Sequence, residues 1–367
     1  MSFSHRLPSL LLALSLAALA GCAALVPCPL PPPPAPLLPA DELDSVLFLI
    51  GDAGEANPRG EPVLGALRVA VGEAVALLGG ERVTVVFLGD NIYPDGLLAE
   101  DHPERKALQR RLDAQLGVVA QPGSPLGIFI PGNHDWGENA ADGGERLARQ
   151  EAYLAEKGGG RTPLLPQRGC PGPVVVDRGE RLRIVLLDTH WWLRRGPVPK
   201  GPQSGCLAGD REEWLRRIEA AIAGGGERRA VVAGHHPIES GGPHGGHRFP
   251  RRFGWRPQDL SNPRYRGMRA DFEALFRRRP PLLFAAGHDH GLQVLRGAGY
   301  PYQLVSGAGT STRLSGVEAL PATLACRQGT GFARLDLARD GGARLALFHP
   351  QGEDPRPVEL WSASIPP

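Results

Sequence analysis

The sequence has almost no net charge and no second long apolar run, and these absences limit what the protein can be. Its 41 basic and 39 acidic residues leave a formal charge of +2 at pH 7, so we expect no nucleic-acid partner. After the first twenty residues, no apolar stretch is long enough to span a bilayer. The 42% hydrophobic content is ordinary, and 367 residues can form one large α/β domain or two smaller ones.

The N-terminus predicts export. Residues 1–21 combine Arg6 with an apolar run over residues 10–20, which suits the core of a signal peptide better than a membrane span. The run ends in LAGC at residues 19–22, which resembles a bacterial lipobox. We therefore expect cleavage before Cys22, lipidation of its thiol, and anchoring to the bacterial cell envelope on the periplasmic or outer-membrane face. A plain secretory signal with an incidental cysteine is the alternative.

A proline-rich linker follows at residues 22–43 and leads into a domain that we place at residues 44–367. Such a linker is extended and semi-rigid, and would hold the domain off a membrane that it touches only through the lipid. The chain has five cysteines, which export would place in an oxidising compartment. Cys170 and Cys206 flank a region rich in glycine and proline, so we predict a disulfide between them. The sequence leaves other pairings open.

The order of predicted elements indicates an α/β fold. An apolar strand at residues 45–50 precedes a helical pattern at residues 62–78 and a second buried strand at residues 83–87. Repetition of this order implies parallel strands with right-handed crossovers. After His290 strands follow one another without helices, and the turn at residues 340–342 indicates antiparallel pairing. We predict two packed mixed β-sheets flanked by helices, a four-layer αββα sandwich.

Five apolar runs in this sequence each lead into a short polar cluster that begins with glycine. The clusters are GDAG at residues 51–54, GDNIY at 89–93, GNHD at 132–135, GHHP at 234–237 and GHDH at 287–290. A carboxylate just past the carboxyl end of a buried strand lies where open α/β sheets bind ligands. Five independent turns would not all collect Asp, Asn and His by chance, so we interpret the clusters as one site.

The clusters supply seven candidate metal ligands, namely Asp52, Asp90, Tyr93, Asn133, His235, His288 and His290. Seven exceeds what one metal ion uses when water and substrate must also bind, and suits two metal ions that share a bridging carboxylate. The mixture of carboxylate, amide, imidazole and phenolate groups favours transition metals over calcium or magnesium. Cysteine is absent from the set, which argues against a structural zinc finger.

The motif order GDxG, GDxxY, GNHD, VxxH and GHxH resembles the calcineurin-like metallophosphoesterases, and in particular the small, tartrate-resistant purple acid phosphatases. Gly54 stands where common metallophosphoesterases place a histidine, and Tyr93 supplies a ligand instead. The resemblance covers about residues 46–309. The ligand assignment that it implies is Fe(III) on Asp52, Tyr93 and His290, a divalent ion (iron, zinc or manganese) on Asn133, His235 and His288, and Asp90 as the bridge.

The same resemblance implies that the protein hydrolyses phosphomonoesters and that its substrate is a small phosphorylated molecule. A metal-bound hydroxide would be the nucleophile. His134 would contact the phosphate and protonate the leaving group, and Asp135 would orient it. His244 falls where small members of the family carry another catalytic histidine, although His247 is close to it. We expect the protein to act as a monomer.

Two alternatives remain open at this stage. A phosphodiesterase or nucleotide hydrolase uses the same two-metal core, and the loops that would distinguish it have uninformative sequences. A surface binding lipoprotein with a decayed site is the non-enzymatic alternative, although decay normally removes ligands first and all seven are present.

Overall fold

The computed structural model describes residues 27–29, 31–55, 60–123, 125–245, 258–352 and 354–367. The predicted signal peptide, Cys22 and His247 lie outside these ranges. Within them, no helix has both the length and the hydropathy that crossing a bilayer requires.

Thirteen strands and six α-helices make up the regular structure of the described residues. The strands are β1 (Leu43–Ile50), β2 (Val83–Phe87), β3 (Leu126–Phe129), β4 (Val174–Arg178), β5 (Leu182–Leu186), β6 (Arg229–Ala233), β7 (Leu283–Ala286), β8 (Leu292–Arg296), β9 (Tyr302–Ser306), β10 (Thr323–Arg327), β11 (Phe332–Ala338), β12 (Ala343–Gln351) and β13 (Asp354–Ile365). The helices are α1 (Pro62–Leu78), α2 (Arg105–Val119), α3 (Gly143–Lys157), α4 (His190–Leu193), α5 (Arg211–Ala223) and α6 (Pro263–Arg278).

The strands form two mixed sheets that pack face to face. One has six strands in the order β13-β12-β11-β1-β2-β3, and the other has seven in the order β10-β8-β9-β7-β6-β5-β4. Strands β1, β2 and β3 are parallel, as are β5, β6, β7 and β9, whereas the remaining neighbours pair antiparallel. The antiparallel strands lie mainly in the second half of the chain, as its sequence predicts.

Alternation of side chains along the strands gives each sheet two buried faces. Leu47 and Leu49 of β1 point into the core between the sheets, together with Val231 of β6. On the outer face of the six-stranded sheet, Phe48 packs among apolar residues of α1, α2 and α3. Phe284 of β7 packs likewise among residues of α4, α5 and α6. The predicted four-layer αββα sandwich is therefore confirmed.

Part of the proline-rich linker lies on the domain. A disulfide joins Cys28 to Cys326 of β10, 298 residues later. The Ala35 N–H donates to Ser362 Oγ at 2.8 Å, and the Ala35 carbonyl accepts from Arg344 Nε at 3.1 Å. This stretch therefore follows the β13 edge of the six-stranded sheet instead of extending away from the domain, as a free spacer would.

The Cys170–Cys206 disulfide that the sequence predicts is present, with the two Cα atoms 5.3 Å apart. It links the loop before β4 to the loop before α5. Both thiols belong to side chains that are nearly inaccessible to solvent.

Candidate metal centre

Strand register brings the five polar clusters to one edge of the sandwich. Ile50, Phe87 and Phe129, the last residues of β1, β2 and β3, lie side by side in the six-stranded sheet. In the other sheet, Ala233 at the end of β6 lies beside Ala285 of β7. The carboxyl ends of parallel strands in each sheet therefore meet at one edge, where α/β sheets bind ligands.

Backbone hydrogen bonds join the two sheets at this edge. The Gly51 N–H donates to the carbonyl of Ser306 at 2.7 Å, which ties the end of β1 to the end of β9. The Asp52 N–H donates to the carbonyl of Gly89 at 2.9 Å, which ties the first polar cluster to the second. The candidate ligands are thus carried on a backbone that is fixed on both sides.

Three candidate ligands have a strained backbone. Asp52, Asp90 and His288 have φ values of 58°, 53° and 72°, in the left-handed region that glycine adopts most easily. Each such residue costs about 1–3 kcal/mol, and such residues concentrate at functional sites. The glycine at position 132 is required here, because a Cβ on it would overlap the carboxylate of Asp90.

The three residues assigned to ferric iron are brought together. The Tyr93 Oη lies 2.8 Å from Asp52 Oδ1 and 3.1 Å from His290 Nε2. His290 Nε2 is in turn 3.3 Å from Asp52 Oδ1. Burial and the charge of Asp52 raise the pKa of the Tyr93 phenol well above its usual value, so in the absence of a cation the phenol keeps its proton and donates to Asp52.

Three of the other four candidate ligands converge beside this group. His235 Nε2 lies 3.1 Å from Asn133 Oδ1 and 3.3 Å from Asp90 Oδ2. Burial favours the neutral form of His235, but the Asp90 carboxylate outweighs it and raises the imidazole pKa to about 9. Burial likewise raises the pKa of Asp90, and the charges of His235 and His134 outweigh it, so the net pKa lies well below the usual range. A protonated imidazole thus balances the buried carboxylate in the metal-free protein.

The fourth, His288, lies in a cluster of imidazoles. Its ring centroid is 5.2 Å from that of His235 and 4.6 Å from that of His236. Its Nε2 is 2.9 Å from the carbonyl of Gln258. Burial and the neighbouring histidines hold the pKa of His288 well below its usual value, so the ring is neutral, which is the form that binds metal ions.

His236 is a site residue that the sequence analysis did not assign. Suitably placed ligand atoms occur in two groups within the described residues, Asp52 with Asp90 and His235, and His235 with His236 and His288. His236 Nδ1 lies 2.8 Å from Thr189 Oγ1, and its Nε2 lies 3.2 Å from Gln258 Oε1, so protein partners engage both nitrogens. The GHHP cluster signals a histidine pair but not which imidazole is free to bind.

His134 lies beside Tyr93, on the side of the site that the sequence analysis assigned to ferric iron. Its ring centroid is 4.5 Å from that of Tyr93, and its Nδ1 lies 2.5 Å from the carbonyl of Pro94. The side chain is only half-buried. Because the Pro94 carbonyl can only accept a hydrogen bond, Nδ1 of His134 must carry a proton and donate it. Nε2 is therefore the nitrogen that remains for a substrate.

Asp135 does not have the partner that the sequence analysis gave it. Its carboxylate accepts from the Gly132 N–H at 2.7 Å, from the Asn91 N–H at 3.0 Å and from Asn91 Nδ2 at 3.1 Å. It therefore joins the loop after β2 to the loop after β3, and the imidazole of His134 is oriented by Pro94 instead. Burial and the nearby Asp90 raise the pKa of Asp135 to about 7.

His244 lies against the imidazole cluster. Its ring centroid is 4.4 Å from that of His288, and its N–H donates to Asp289 Oδ1 at 3.0 Å. Its Nδ1 is buried and has no hydrogen-bond partner within the described part of the chain. The imidazole is therefore available to a ligand at this end of the site.

The donor set fits two metal ions. Buried carboxylate, phenol and amide oxygens converge with imidazole nitrogens, on a backbone that hydrogen bonds hold in place. The guanidinium of Arg313 lies over the Tyr93 ring but is paired with Glu55. Bound cations would therefore neutralise the carboxylates in place of the protons on Tyr93 and His235.

Residues 50–292 match the family model for the calcineurin-like phosphoesterases. The chain therefore belongs to the calcineurin-like phosphoesterase family, whose members are metal-dependent phosphoesterases. The resemblance to this superfamily and to the purple acid phosphatases that the motifs indicated is confirmed. No curated protein matches the chain by sequence.

Three solved structures show the same fold at low sequence identity. GAP50, the anchor in the inner membrane complex of Plasmodium, is 15% identical with a TM-score of 0.57, over 88% of this chain and 89% of that one. The purple acid phosphatase PPD1 of yellow lupin is 13% identical with a TM-score of 0.58, over 90% and 55%. PhoD is 13% identical with a TM-score of 0.56, over 92% and 71%.

Proposed function

We propose that the protein hydrolyses phosphomonoesters at a centre of Fe(III) and a divalent metal ion, in the manner of a purple acid phosphatase. The observation that carries the proposal is the contact of the buried Tyr93 phenol with both Asp52 and His290. A tyrosine at this point supports a ferric site, because phenolate is a hard anionic oxygen ligand. Gly54 at the neighbouring position offers no competing side chain.

The side chains around the centre would divide the remaining work. When bound, the two metal ions would supply activation of water and neutralisation of charge on the phosphoryl group. His134, whose Nδ1–H is held by the Pro94 carbonyl, would in its doubly protonated form give the proton on Nε2 to the departing alcohol oxygen. His244 would donate to the phosphoryl group from the side of His288. Asp135 would keep the loops that carry Asp90 and Asn133 in register.

Metal analysis combined with a substrate panel tests this proposal. The purified protein should contain iron and should release phosphate from several small monoesters faster than it cleaves bis(p-nitrophenyl) phosphate. Preference for the diester or for nucleotides would favour the enzymatic alternative. Bound metals without turnover of any ester would favour a binding role. This outcome is worth testing because the fold is similar to that of an anchor protein in a membrane complex.

We further propose that the mature protein is exported and attached to the cell envelope through lipidated Cys22. The LAGC sequence at residues 19–22, after an apolar run of signal-peptide length, supports this location. Wild type expressed in a bacterial host should partition into the detergent phase, and Cys22→Ser should not. Partitioning of the wild type into the aqueous phase would exclude the anchor.

A further inference from the structure

The Cys28–Cys326 disulfide shortens the connection between the proposed anchor and the domain. Cys28 is six residues after Cys22, so the chain between them spans at most about 22 Å. Without the disulfide, the first hydrogen bonds from the described part of this segment to the domain are those of Ala35, and the span from Cys22 rises to at most about 47 Å. A domain of this size has a radius of gyration of about 20 Å, so the disulfide confines the lipid to one side of it.

That side is the one with the metal centre. Cys326 pairs with Gln293 across the antiparallel β8–β10 ladder, and Gln293 is three residues after His290. A strand pair separates Cα atoms by about 5 Å and each strand residue adds about 3.4 Å, so the Cα of His290 lies within about 15 Å of the Cα of Cys326. The disulfide therefore attaches the tether to the domain on the side that carries His290.

The segment at residues 313–315, which we call the rim, lies against the ligand His290 and carries an exposed leucine. Leu314 is 37% exposed, one of six large apolar side chains that are exposed among the described residues. The residues on either side of it hold His290, since the Arg313 carbonyl is 2.6 Å from His290 Nδ1 and the Ser315 N–H donates to the His290 carbonyl at 3.0 Å. An apolar side chain at the rim suits contact with a lipid surface.

We infer that the Cys28–Cys326 disulfide keeps the metal centre facing the bilayer surface. There the enzyme hydrolyses phosphomonoesters of membrane lipids. This inference rests on the proposed phosphatase activity and on the proposed anchor. In the reaction, the oxygen of one water replaces the lipid oxygen on phosphorus. One proton of that water goes to the lipid alcohol, and inorganic phosphate is released.

The full-length lipidated protein, reconstituted in phosphatidylcholine vesicles that contain phosphatidic acid, tests the inference. Phosphate release from the lipid is compared with hydrolysis of soluble p-nitrophenyl phosphate by the same vesicles. Because the tether roughly doubles in reach, Cys28→Ser/Cys326→Ser should lower the lipid-to-soluble activity ratio severalfold, up to about tenfold. Cys170→Ser/Cys206→Ser, which removes the other disulfide, should leave the ratio unchanged.

A second pair of variants tests the rim. Leu314→Ser should lower the same ratio, whereas Leu77→Ser should not, because Leu77 is 50% exposed near the carboxyl end of α1, away from the clustered ligands. Equal ratios in wild type and in all these variants would overturn the inference and leave the phosphatase proposal intact. Failure of the wild type to stay with the vesicles would overturn the tether itself.

Orientation can be measured without any turnover. A fluorophore introduced through an unnatural amino acid at exposed Gln328, two residues after Cys326, should be quenched by headgroup-labelled lipid. The same fluorophore at exposed Glu227, in the loop before β6 at the other end of the sheet, should not. The difference should shrink in Cys28→Ser/Cys326→Ser. Equal quenching at the two positions of the wild type would overturn the proposed orientation even if the enzyme is active. The expected difference in quenching would support the orientation even if no ester is hydrolysed.

Discussion

The phenolic Oη of Tyr93 lies 2.8 Å from Oδ1 of Asp52, although 41 residues separate them in the sequence. The contact follows from the parallel pairing of β1 with β2, which places their two carboxyl ends side by side. Both side chains are fully buried. Two acidic oxygens this close in a buried site require either a shared proton or a cation between them.

Replacing Tyr93 with phenylalanine should remove the visible absorption band of the iron-loaded protein. The band expected for the wild type, pink to violet, arises from charge transfer between phenolate and ferric iron, and phenylalanine has no oxygen to bind. The variant should also lose iron while keeping the divalent ion on Asn133, His235 and His288. Absorption spectra and metal content of the same sample provide the measurement. A band that persists in the variant, or an iron-loaded and active wild type without one, would contradict the assignment.

His134→Ala should retain both metals and lose about 10²–10⁴-fold in kcat, as expected for removal of a general acid. His134 is half-buried and contacts Pro94 and the Tyr93 ring, so its loss should leave the ligands in place. His102→Ala, at an exposed histidine, is the matched control and should keep full activity. Loss of a metal from the His134 variant would show that the side chain has a different role.

His244→Ala should also lower kcat, and His247→Ala should not. The imidazole of His244 packs 4.4 Å from that of His288 and has a buried nitrogen with no partner in the described residues, so it is available to a substrate. His247 lies outside the described residues. The two variants decide which of the two histidines has the catalytic role, a choice that the sequence leaves open. Steady-state kinetics on metal-loaded samples makes the comparison. The reverse pattern would move the role to His247.

The fold could be predicted from the sequence where local patterns agree with tertiary packing. The helix at Pro62–Leu78 has the predicted bounds because its apolar face repeats at helical spacing. Strand β13 was missed, because Pro355 and Pro357 argue against a strand and are tolerated only where it lies at a sheet edge. Edge position is a property of the assembled sheet and is not visible in a single run of residues.

The site could be predicted only in part for a similar reason. Each ligand-bearing turn follows its own strand, so a local motif marks it. The role of Asp135 depends on Asn91, which lies 44 residues earlier, and only the packing of two loops brings them together. The Cys28–Cys326 pairing spans 298 residues, and nothing local distinguishes it from other pairings.

A buried histidine outside the metal centre makes the stability of the fold depend on pH. His190 is inaccessible to solvent, its Nε2 donates to the Glu138 carbonyl at 2.8 Å, and its ring stacks on that of His236. Burial, together with the nearby charge of Arg194, lowers its pKa to about 3. In the unfolded chain the imidazole begins to take up a proton at about pH 6.5. In the folded protein it stays neutral until the pH falls to about 3.

The metal-free protein should lose stability through His190 as the pH falls. In the unfolded chain the imidazole takes up a proton below pH of about 6.5, whereas in the fold it does not until about pH 3, so unfolding binds a proton in that interval. Between pH 7 and pH 5 this group alone should reduce the free energy of unfolding by about 2 kcal/mol. His190→Gln, which keeps a donor for the Glu138 carbonyl, should be less stable at pH 7 but should show a shallower decline. Urea unfolding with chelator present and disulfides intact provides the measurement, with His102→Gln as the control. Parallel pH profiles for wild type and His190→Gln would show that His190 is not the group responsible.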